Sequence, residues 1–331
     1  MVPLYGFCGR VCKFTGIMQS IHTPDRSVSR PPTIGGLIML LGFVLMGGVV
    51  STLILLGILL IAKGMTVAEV QAYLLHISLN PSASGGNWYE LMGIQAINHL
   101  GTFLLPALLY WYVIEHRTWK QFSARPLWAV VGLSLVGLIV IAFMPFDGLV
   151  IEWNQHLHLP ETMAPLEKWI RDKETSLEGI TKYLTTFNTT GQLITALLVI
   201  AVIPAIGEEV LFRGILQRNV SYWSGNVHVG IWVAAILFSA IHVQFLGFFP
   251  RMLLGALFGY LYVWSGNLWV SILAHFVNNG FTVLMVYLHQ QKVTSVDIES
   301  SESVPVWGAL ISLALTTGLL IYFRRVNKVQ T

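Results

Sequence analysis

The sequence contains few charged residues. Only 11% of its 331 residues are Asp, Glu, Lys or Arg, whereas 55% are hydrophobic, and the mean hydropathy is +0.68. A soluble domain carries about 25% charged residues, so this chain lacks the polar surface that would cover a folded protein in water. The formal net charge of +3 is too small to indicate nucleic acid as a partner. These features predict an integral membrane protein surrounded by lipids.

Cysteine is also scarce, since Cys8 and Cys12 are the only two. One CxxxC pair without a second pair does not indicate a zinc site or a disulfide framework. The first long apolar run begins after Pro32, so we expect no cleavable N-terminal signal peptide. No internal repeat is visible, which argues against the duplicated halves that many transporters have.

Apolar runs of about 20 residues, the length that crosses a bilayer as a helix, occur throughout the chain. Lipid offers no hydrogen-bond partner to backbone groups, so each crossing run must be helical. We predict an all-α, polytopic membrane bundle of about eight transmembrane helices, at residues 35–62, 91–114, 127–145, 191–217, 228–248, 251–265, 267–289 and 305–323.

The distribution of Lys and Arg predicts the orientation. With both termini in the cytoplasm, the cytoplasmic segments hold eleven basic residues and two acidic ones, and the opposite side holds seven basic and twelve acidic ones. An excess of Lys and Arg in cytoplasmic segments is typical of membrane proteins. We therefore predict that both termini are cytoplasmic.

Four parts of the chain follow from these spans. They are a cytoplasmic N-terminal segment (1–34), transmembrane helices with an outer loop (35–189), a core (190–290), and a last helix with a basic tail (291–331). Within the outer loop, 146–190, apolar residues recur at helical spacing, which predicts amphipathic helices on the membrane surface. A connecting role is the simpler interpretation of this loop, and substrate gating is the alternative.

Three charges interrupt one of the most apolar runs, in the sequence GEEVLFRG at 207–214. A charge at the bilayer centre costs about 2.5–3.5 kcal/mol on insertion scales, so these residues need a reason. Glu209 and Arg213 are four residues apart with the acid first, the favourable order for a helical ion pair. Glu208 is rotated from Glu209 by about 100°, and Pro204 is expected to bend the helix nearby. A poorly hydrated carboxylate at such a bend suits a general base.

Two later spans carry matching polar residues. FSAIH places His242 four residues after Phe238, and HFVNN places Asn279 four residues after His275. If the three helices converge, Glu208 and His242 would bind and deprotonate a water molecule. His275 and Asn279 would donate hydrogen bonds to the oxyanion that forms when this water attacks an amide carbonyl.

Packing is the alternative interpretation for every one of these polar residues. A single histidine in a membrane span is more often a packing residue than a catalyst, and we assign His99, beside Asn98 in INHL, to the packing class. Asn278 is assigned a structural role, capping or bridging helices.

The three motifs together resemble one family. EEVLFR, FSAIH and HFVNN are similar to the EExxxR, FxxxH and HxxxN signatures of the CPBP family. These are membrane-embedded proteases related to the type II CAAX prenyl endopeptidase and to bacterial bacteriocin-immunity (Abi) proteins. The resemblance covers about residues 190–290, which would then be the catalytic core. The resemblance implies that Glu208 and His242 activate the water molecule. It implies that His275 and Asn279 bind the oxyanion. It further implies that Glu209 and Arg213 support the site.

Zinc is the alternative to a mechanism without a cofactor. Glu208, His242 and His275 include the residue types of a known catalytic zinc set. Against zinc, the sequence has no HExxH, and the amide of Asn279 would be a poor ligand. We therefore predict no cofactor, with zinc as the alternative.

The function predicted from these residues is that of an intramembrane endopeptidase. Its partners would be membrane lipids and a membrane-anchored protein or peptide substrate, with a CAAX-like substrate as one option and no nucleic acid. The compact loops favour a multi-pass protein of the bacterial cytoplasmic membrane. The alternatives are a zinc metalloprotease with the same residues, a noncatalytic membrane scaffold, and a proton-coupled transporter that uses Glu208 and the histidines as a relay.

Overall fold

The computed structural model describes residues 32–79, 87–296 and 305–328. Cys8, Cys12 and most of the predicted N-terminal segment lie outside the described residues. Within the described residues the chain forms helices and no strand. The ten helices are α1 Ile34–Ala62, α2 Val67–Leu79, α3 Trp88–Ile114, α4 Leu133–Gln155, α5 Ala164–Leu184, α6 Thr190–Ser224, α7 Val227–Ala240, α8 Phe248–Ser265, α9 Leu268–Gln290 and α10 Val306–Val326.

Seven helices in the described part of the chain are long and apolar enough to cross a membrane. They are α1, α3, α4, α6, α8 with the short turn before it, α9 and α10. The predicted all-α polytopic bundle is therefore confirmed. The sequence predicts about eight spans, but seven helices in the described residues are long enough. The eighth predicted span, α7, has only 14 residues and measures about 21 Å, which is shorter than the membrane core. The orientation of the termini stays a prediction.

Three predicted spans have wrong boundaries, those of α4, α6 and α7. The span predicted at 127–145 begins at Leu133 and continues through Pro145 to Gln155, so the first ten residues of the predicted outer loop are helical. The span predicted at 228–248 ends at Ala240 and is followed by a turn. Mostly apolar residues precede the start of α4, at 127–131, and follow the end of α7, at 241–249, so hydropathy alone does not locate either boundary.

The turn between α6 and α7 sets the depth of the motifs. α6 extends to Ser224, beyond its predicted end at 217. Gly225 then takes a left-handed conformation (φ +62°), and the Asn226 side chain accepts a hydrogen bond from the backbone of α7. At 1.5 Å per residue, Glu208 lies about 24 Å before this turn and His242 about 22 Å after it. The two motif residues therefore reach a similar depth in the bundle.

The bundle is built around α6. Half of the most apolar stretch of α6 is buried (50%), against 11% of that of α1. Helix α9 packs along α6, α8 along α7, and α10 along α4. Helix α1 reaches α3 through two glycines, since a β-carbon on Gly47 would overlap the carbonyl oxygen of Gly101. This contact fixes α3 beside the site described below.

Helix α5 is the amphipathic helix that the sequence predicts in the outer segment, with Ile170 and Leu184 buried on one side. It contacts the turn that follows α7, where the rings of Trp169 and Phe245 lie 6.1 Å apart. The same turn also contacts α4, so it packs against both α4 and α5.

Candidate active site

The ion pair predicted within α6 is present and fully buried. Arg213 Nη1 donates to Glu209 Oε1 at 2.6 Å, and the two side chains are 1% and 0% exposed. The second nitrogen, Nη2, donates to the carbonyl oxygen of Gly255 in α8 at 2.9 Å. The guanidinium also lies over the rings of Phe238 and Phe258, at 4.7 and 5.6 Å from the centroids. Arg213 therefore links α6 to α7 and α8 as well as neutralising Glu209.

His275 of α9 shares the same carboxylate oxygen. Its Nδ1 lies 2.9 Å from Glu209 Oε1, and a carboxylate oxygen only accepts, so Nδ1 carries the proton. The other nitrogen, Nε2, faces Glu208 Oε2 at 3.8 Å. Phe258 stacks on the imidazole with 5.4 Å between the ring centroids. One glutamate thus orients the histidine, and the orientation directs Nε2 towards the other glutamate.

Glu208 is buried and contacts a second histidine, His99 of α3. The distance from His99 Nε2 to Glu208 Oε1 is 3.5 Å. The sequence-based assignment of His99 to the packing class did not anticipate this contact with Glu208. A polar pair in an apolar span, Asn98 and His99, is a signal for a special role, but the contact itself depends on how α3 packs against α6, which no local pattern encodes.

His242 lies in the turn after α7 rather than within a span. Its Nδ1 donates to the carbonyl oxygen of Phe238 at 2.7 Å, which leaves Nε2 as the acceptor nitrogen of the neutral ring. In the described structure no hydrogen bond joins His242 to Glu208. The ring of Phe238 packs against both histidines of the motifs, with its centroid 5.2 Å from that of His242 and 6.0 Å from that of His275.

The residue after His242 has an unfavourable backbone conformation. Val243 has φ +52°, a left-handed value that is a genuine outlier for a β-branched side chain. The segment that follows is held by α4 and α5. Glu174 of α5 accepts from the backbone N–H of Leu246 at 3.0 Å, and Asn154 of α4 bonds to Phe245 and Phe249. Conformational strain of this kind persists where surrounding contacts over-determine the backbone.

Asn279 joins α9 to α6. Its Nδ2 donates to the carbonyl oxygen of Ile200 at 3.0 Å. That oxygen lies four residues before Pro204, which has no N–H to donate in the α-helical pattern. Asn278 donates to Asn279 Oδ1 at 3.2 Å, so the helix-bridging role predicted for Asn278 belongs to Asn279. One N–H of the Asn279 amide donates to the carbonyl oxygen of Ile200. The amide has a second N–H, and this one could donate to an oxyanion.

Helix α6 departs from regular α-helical bonding on both sides of the two glutamates. Residues Leu197–Val202 and Val210–Gln217 form π-helical turns. Such turns are rare and occur frequently at functional sites. The first π segment ends two residues before Pro204, where the missing N–H interrupts α-helical bonding.

The zinc alternative requires three ligands around one point. In the described residues, no three His, Cys, Asp or Glu side chains come together to hold a metal ion. Glu208 and His275 lie 3.8 Å apart, and the ring of Phe238 packs against both His242 and His275. The three residues of the alternative set are therefore not arranged as zinc ligands in this structure.

Comparison with known proteins agrees with the resemblance found in the motifs. Residues 190–281 match the family described as Type II CAAX prenyl endopeptidase Rce1-like. The chain is 32% identical over 110 residues to the uncharacterized protein YpbD of Bacillus subtilis (strain 168), a match that covers 30% of this chain and 53% of that protein. The chain thus spans about half the length of the relative it matches. No solved structure matches.

Proposed function

We propose that the chain is an intramembrane endopeptidase that hydrolyses a peptide bond with a water molecule activated by Glu208. One observation carries the proposal. Glu209 is neutralised by Arg213, whereas the groups in direct contact with Glu208 are two imidazoles, at 3.5 and 3.8 Å. Imidazoles exchange protons near neutral pH and guanidinium groups do not. Glu208 is thus the carboxylate of the pair that is suited to accept and return a proton.

In this mechanism Glu208 takes a proton from water as the water oxygen bonds to the carbonyl carbon. The carbonyl π electrons move to oxygen and form the tetrahedral oxyanion. His242 would hold the attacking water through Nε2, because its Nδ1 is committed to the backbone. When the C–N bond breaks, Glu208 returns the proton to the leaving amine.

The oxyanion would be stabilised from α9. Asn279 has one amide N–H left after its bond to Ile200. His275 would donate from Nε2 as an imidazolium, and Glu209 at Nδ1 stabilises that charge. Fixed donors at the place where charge develops are typically the largest electrostatic contribution to such catalysis, about 2.7–4 kcal/mol for each one removed.

The substrate class follows from where the site lies. Three of the proposed catalytic residues, Glu208, His275 and Asn279, are on helices long enough to cross a membrane, so the substrate is a protein or peptide anchored in, or bound to, the same membrane. A CAAX-like substrate is the finer proposal that the Rce1-like segment supports. We place the protein in the bacterial cytoplasmic membrane.

Peptide cleavage by the detergent-purified protein tests this function. Quenched peptides, with and without lipid groups, are incubated with the wild type and with Glu208→Gln. The control variant is Glu167→Gln, which changes an acidic residue of α5 in the same way. We expect cleavage by the wild type and by Glu167→Gln, and a loss of at least about 100-fold for Glu208→Gln. Undiminished cleavage by Glu208→Gln would overturn the mechanism. A chelator added in parallel tests zinc, because loss of activity that zinc restores would support the metalloprotease alternative.

A further inference from the structure

His99 is the residue of the site that lies outside the Rce1-like segment. It belongs to α3, roughly a hundred residues before Glu208, and no motif includes it. Its side chain is 10% exposed, and its Nε2 is buried without a hydrogen-bond partner in the described structure. Glu208 Oε1 lies 3.5 Å from that nitrogen.

We propose that His99 is a positioning residue for Glu208, donating an Nε2–H hydrogen bond to Oε1. The proposal rests on the proposed function, since it gives a role to a neighbour of the proposed general base. A buried imidazole nitrogen without a partner is unfavourable, and a shift of a few tenths of an ångström completes this bond. Hydrogen bonds of catalytic groups are often long in the free enzyme and shorten in the complex with substrate.

The local structure of α3 fixes the imidazole at this place. Hydrogen bonding in α3 changes from the α to the π pattern directly after His99, in Leu100–Leu104. The ring of Phe103 backs the imidazole at 4.7 Å between centroids. On the other side α6 is close, because a β-carbon on Gly207 would lie 3.6 Å from His99 Cδ2. The imidazole is therefore held between Phe103 and the glycine that precedes the two glutamates.

The division of the Glu208 carboxylate explains what this hydrogen bond would do. With Oε1 occupied by His99, the other oxygen, Oε2, is the one beside His275. Proton transfer to and from water would then take place at Oε2, on the side where the oxyanion donors lie. Without His99 the carboxylate could rotate about its terminal torsion, which is broad and nearly two-fold, and Oε2 would lose its fixed place.

The first experiment measures kcat and KM for His99→Leu and His99→Gln. Leucine removes the donor, while the amide nitrogen of glutamine reaches about as far as Nε2. We expect His99→Leu to lower kcat by about 10–100-fold with little change in KM, since misplacing a catalytic group by about 1 Å costs up to about 100-fold. His99→Gln should recover most of this loss. Asn98→Leu, at the neighbouring residue that contacts Ser51 of α1, is the matched control and should keep kcat within about twofold.

Equal loss in His99→Gln and His99→Leu would overturn the proposal, because the donor would then be irrelevant. Wild-type kcat in His99→Leu would overturn it as well. Catalysis by the wild type with no catalysis by Glu208→Gln establishes the proposed function independently of either result.

A second experiment does not depend on activity. Nitrogen-15 NMR of protein labelled at histidine identifies the ring signals of His99 by their absence in His99→Gln. We expect these signals to move when Glu208→Gln is introduced and to stay in place with Glu167→Gln. If they do not respond to Glu208→Gln, the contact does not exist and the proposal fails. If no peptide is cleaved but the signals respond, the proposed function fails while the contact of His99 with Glu208 is supported.

Discussion

Two clusters in this protein have the same three residue types and the same helical spacing. In α6, Glu209 Oε1 accepts from Arg213, four residues later, and from His275. In α5, Glu167 Oε1 accepts from Arg171, four residues later, and from His158. The distances are alike, 2.6 and 2.9 Å in α6 against 2.9 and 2.8 Å in α5. We call these the buried trio and the exposed trio.

Their surroundings differ. The Glu and Arg of the buried trio are 0% and 1% exposed, and those of the exposed trio are 19% and 36% exposed. In the exposed trio water competes for every hydrogen bond and screens every charge. In the buried trio no water replaces a lost partner, so each group depends on the others. The same local chemistry therefore supports a proposed active site in one place and a loop contact in the other.

The largest effect expected from this comparison follows the loss of the buried cation. Arg213→Met leaves Glu209 charged in an apolar interior, and breaking a buried pair in this way costs about 3–5 kcal/mol. We expect a correspondingly large decrease in the free energy of unfolding, measured in detergent by titration with a denaturing surfactant, together with loss of cleavage.

Arg171→Met in the exposed trio is the matched control. The removed residue type and its spacing from Glu are the same, so only the surroundings differ. We expect no change in unfolding beyond the error of the measurement, because exposed ion pairs contribute little. Equal effects of the two substitutions would break the comparison.

Local spacing made the buried pair predictable. Glu209 and Arg213 lie four residues apart in one helix, so their contact needs no knowledge of the rest of the fold. The order of polar motifs in α6, α7 and α9 likewise predicted which helices meet, and the helical membrane bundle followed from composition. These features depend on residues that are neighbours in sequence or on hydropathy alone.

His99, the end of α7 and the contacts of α5 were not predictable in the same way. His99 meets Glu208 only because α3 packs beside Gly207. Helix α7 ends within a run that stays apolar, so no change in composition marks its end. One usable signal was overlooked. The tetrapeptide WSGN occurs at 223–226 and at 264–267, and in both places it forms the turn between two helices, with a left-handed Gly and a capping Asn.

The contact between α5 and the turn that bears His242 gives the next prediction. Glu174→Ala removes the acceptor for the Leu246 N–H, and one hydrogen bond to a charged group is worth about 1.5–3 kcal/mol at most. We expect cleavage to fall by about 5–10-fold and the exchange of the Leu246 amide hydrogen to accelerate. Glu174→Gln, which keeps an acceptor oxygen, should behave nearly as the wild type. Glu178→Ala, on the same helix, should change neither quantity, and a loss equal to that of Glu174→Ala would show that α5 acts in another way.

A smaller effect is expected at Val243, where the turn is strained. Asparagine adopts left-handed backbone conformations more readily than β-branched residues do. Val243→Asn should therefore raise the free energy of unfolding by about 0.5–1 kcal/mol, and Val243→Thr, which keeps the branch, should not. Thermal unfolding in detergent measures both. A lower free energy of unfolding for Val243→Asn would contradict this expectation. It would show that the packing of the valine side chain stabilises the fold by more than the backbone strain destabilises it.

The smallest effect concerns the exposed trio and pH. The pKa of Glu167 is lowered from 4.5 to about 2, first by the hydrogen bond from His158, then by Arg171 and the backbone N–H of Leu159. A lowered pKa means that the carboxylate stabilises the folded contact fully above about pH 4.5, and that this contribution is lost as the pH falls towards 2.

We therefore expect the Leu159 amide hydrogen, which donates to Glu167 Oε2 at 2.9 Å, to lose protection from exchange between these pH values while the transmembrane helices stay folded. Exchange rates are compared after correction for their intrinsic dependence on pH. Glu167→Gln should remove the pH dependence, because the amide does not titrate. Protection that persists unchanged to pH 2 in the wild type would mean that the charge of Glu167 does not hold the loop. The exposed trio would then differ from the buried trio in its chemistry as well as in its surroundings.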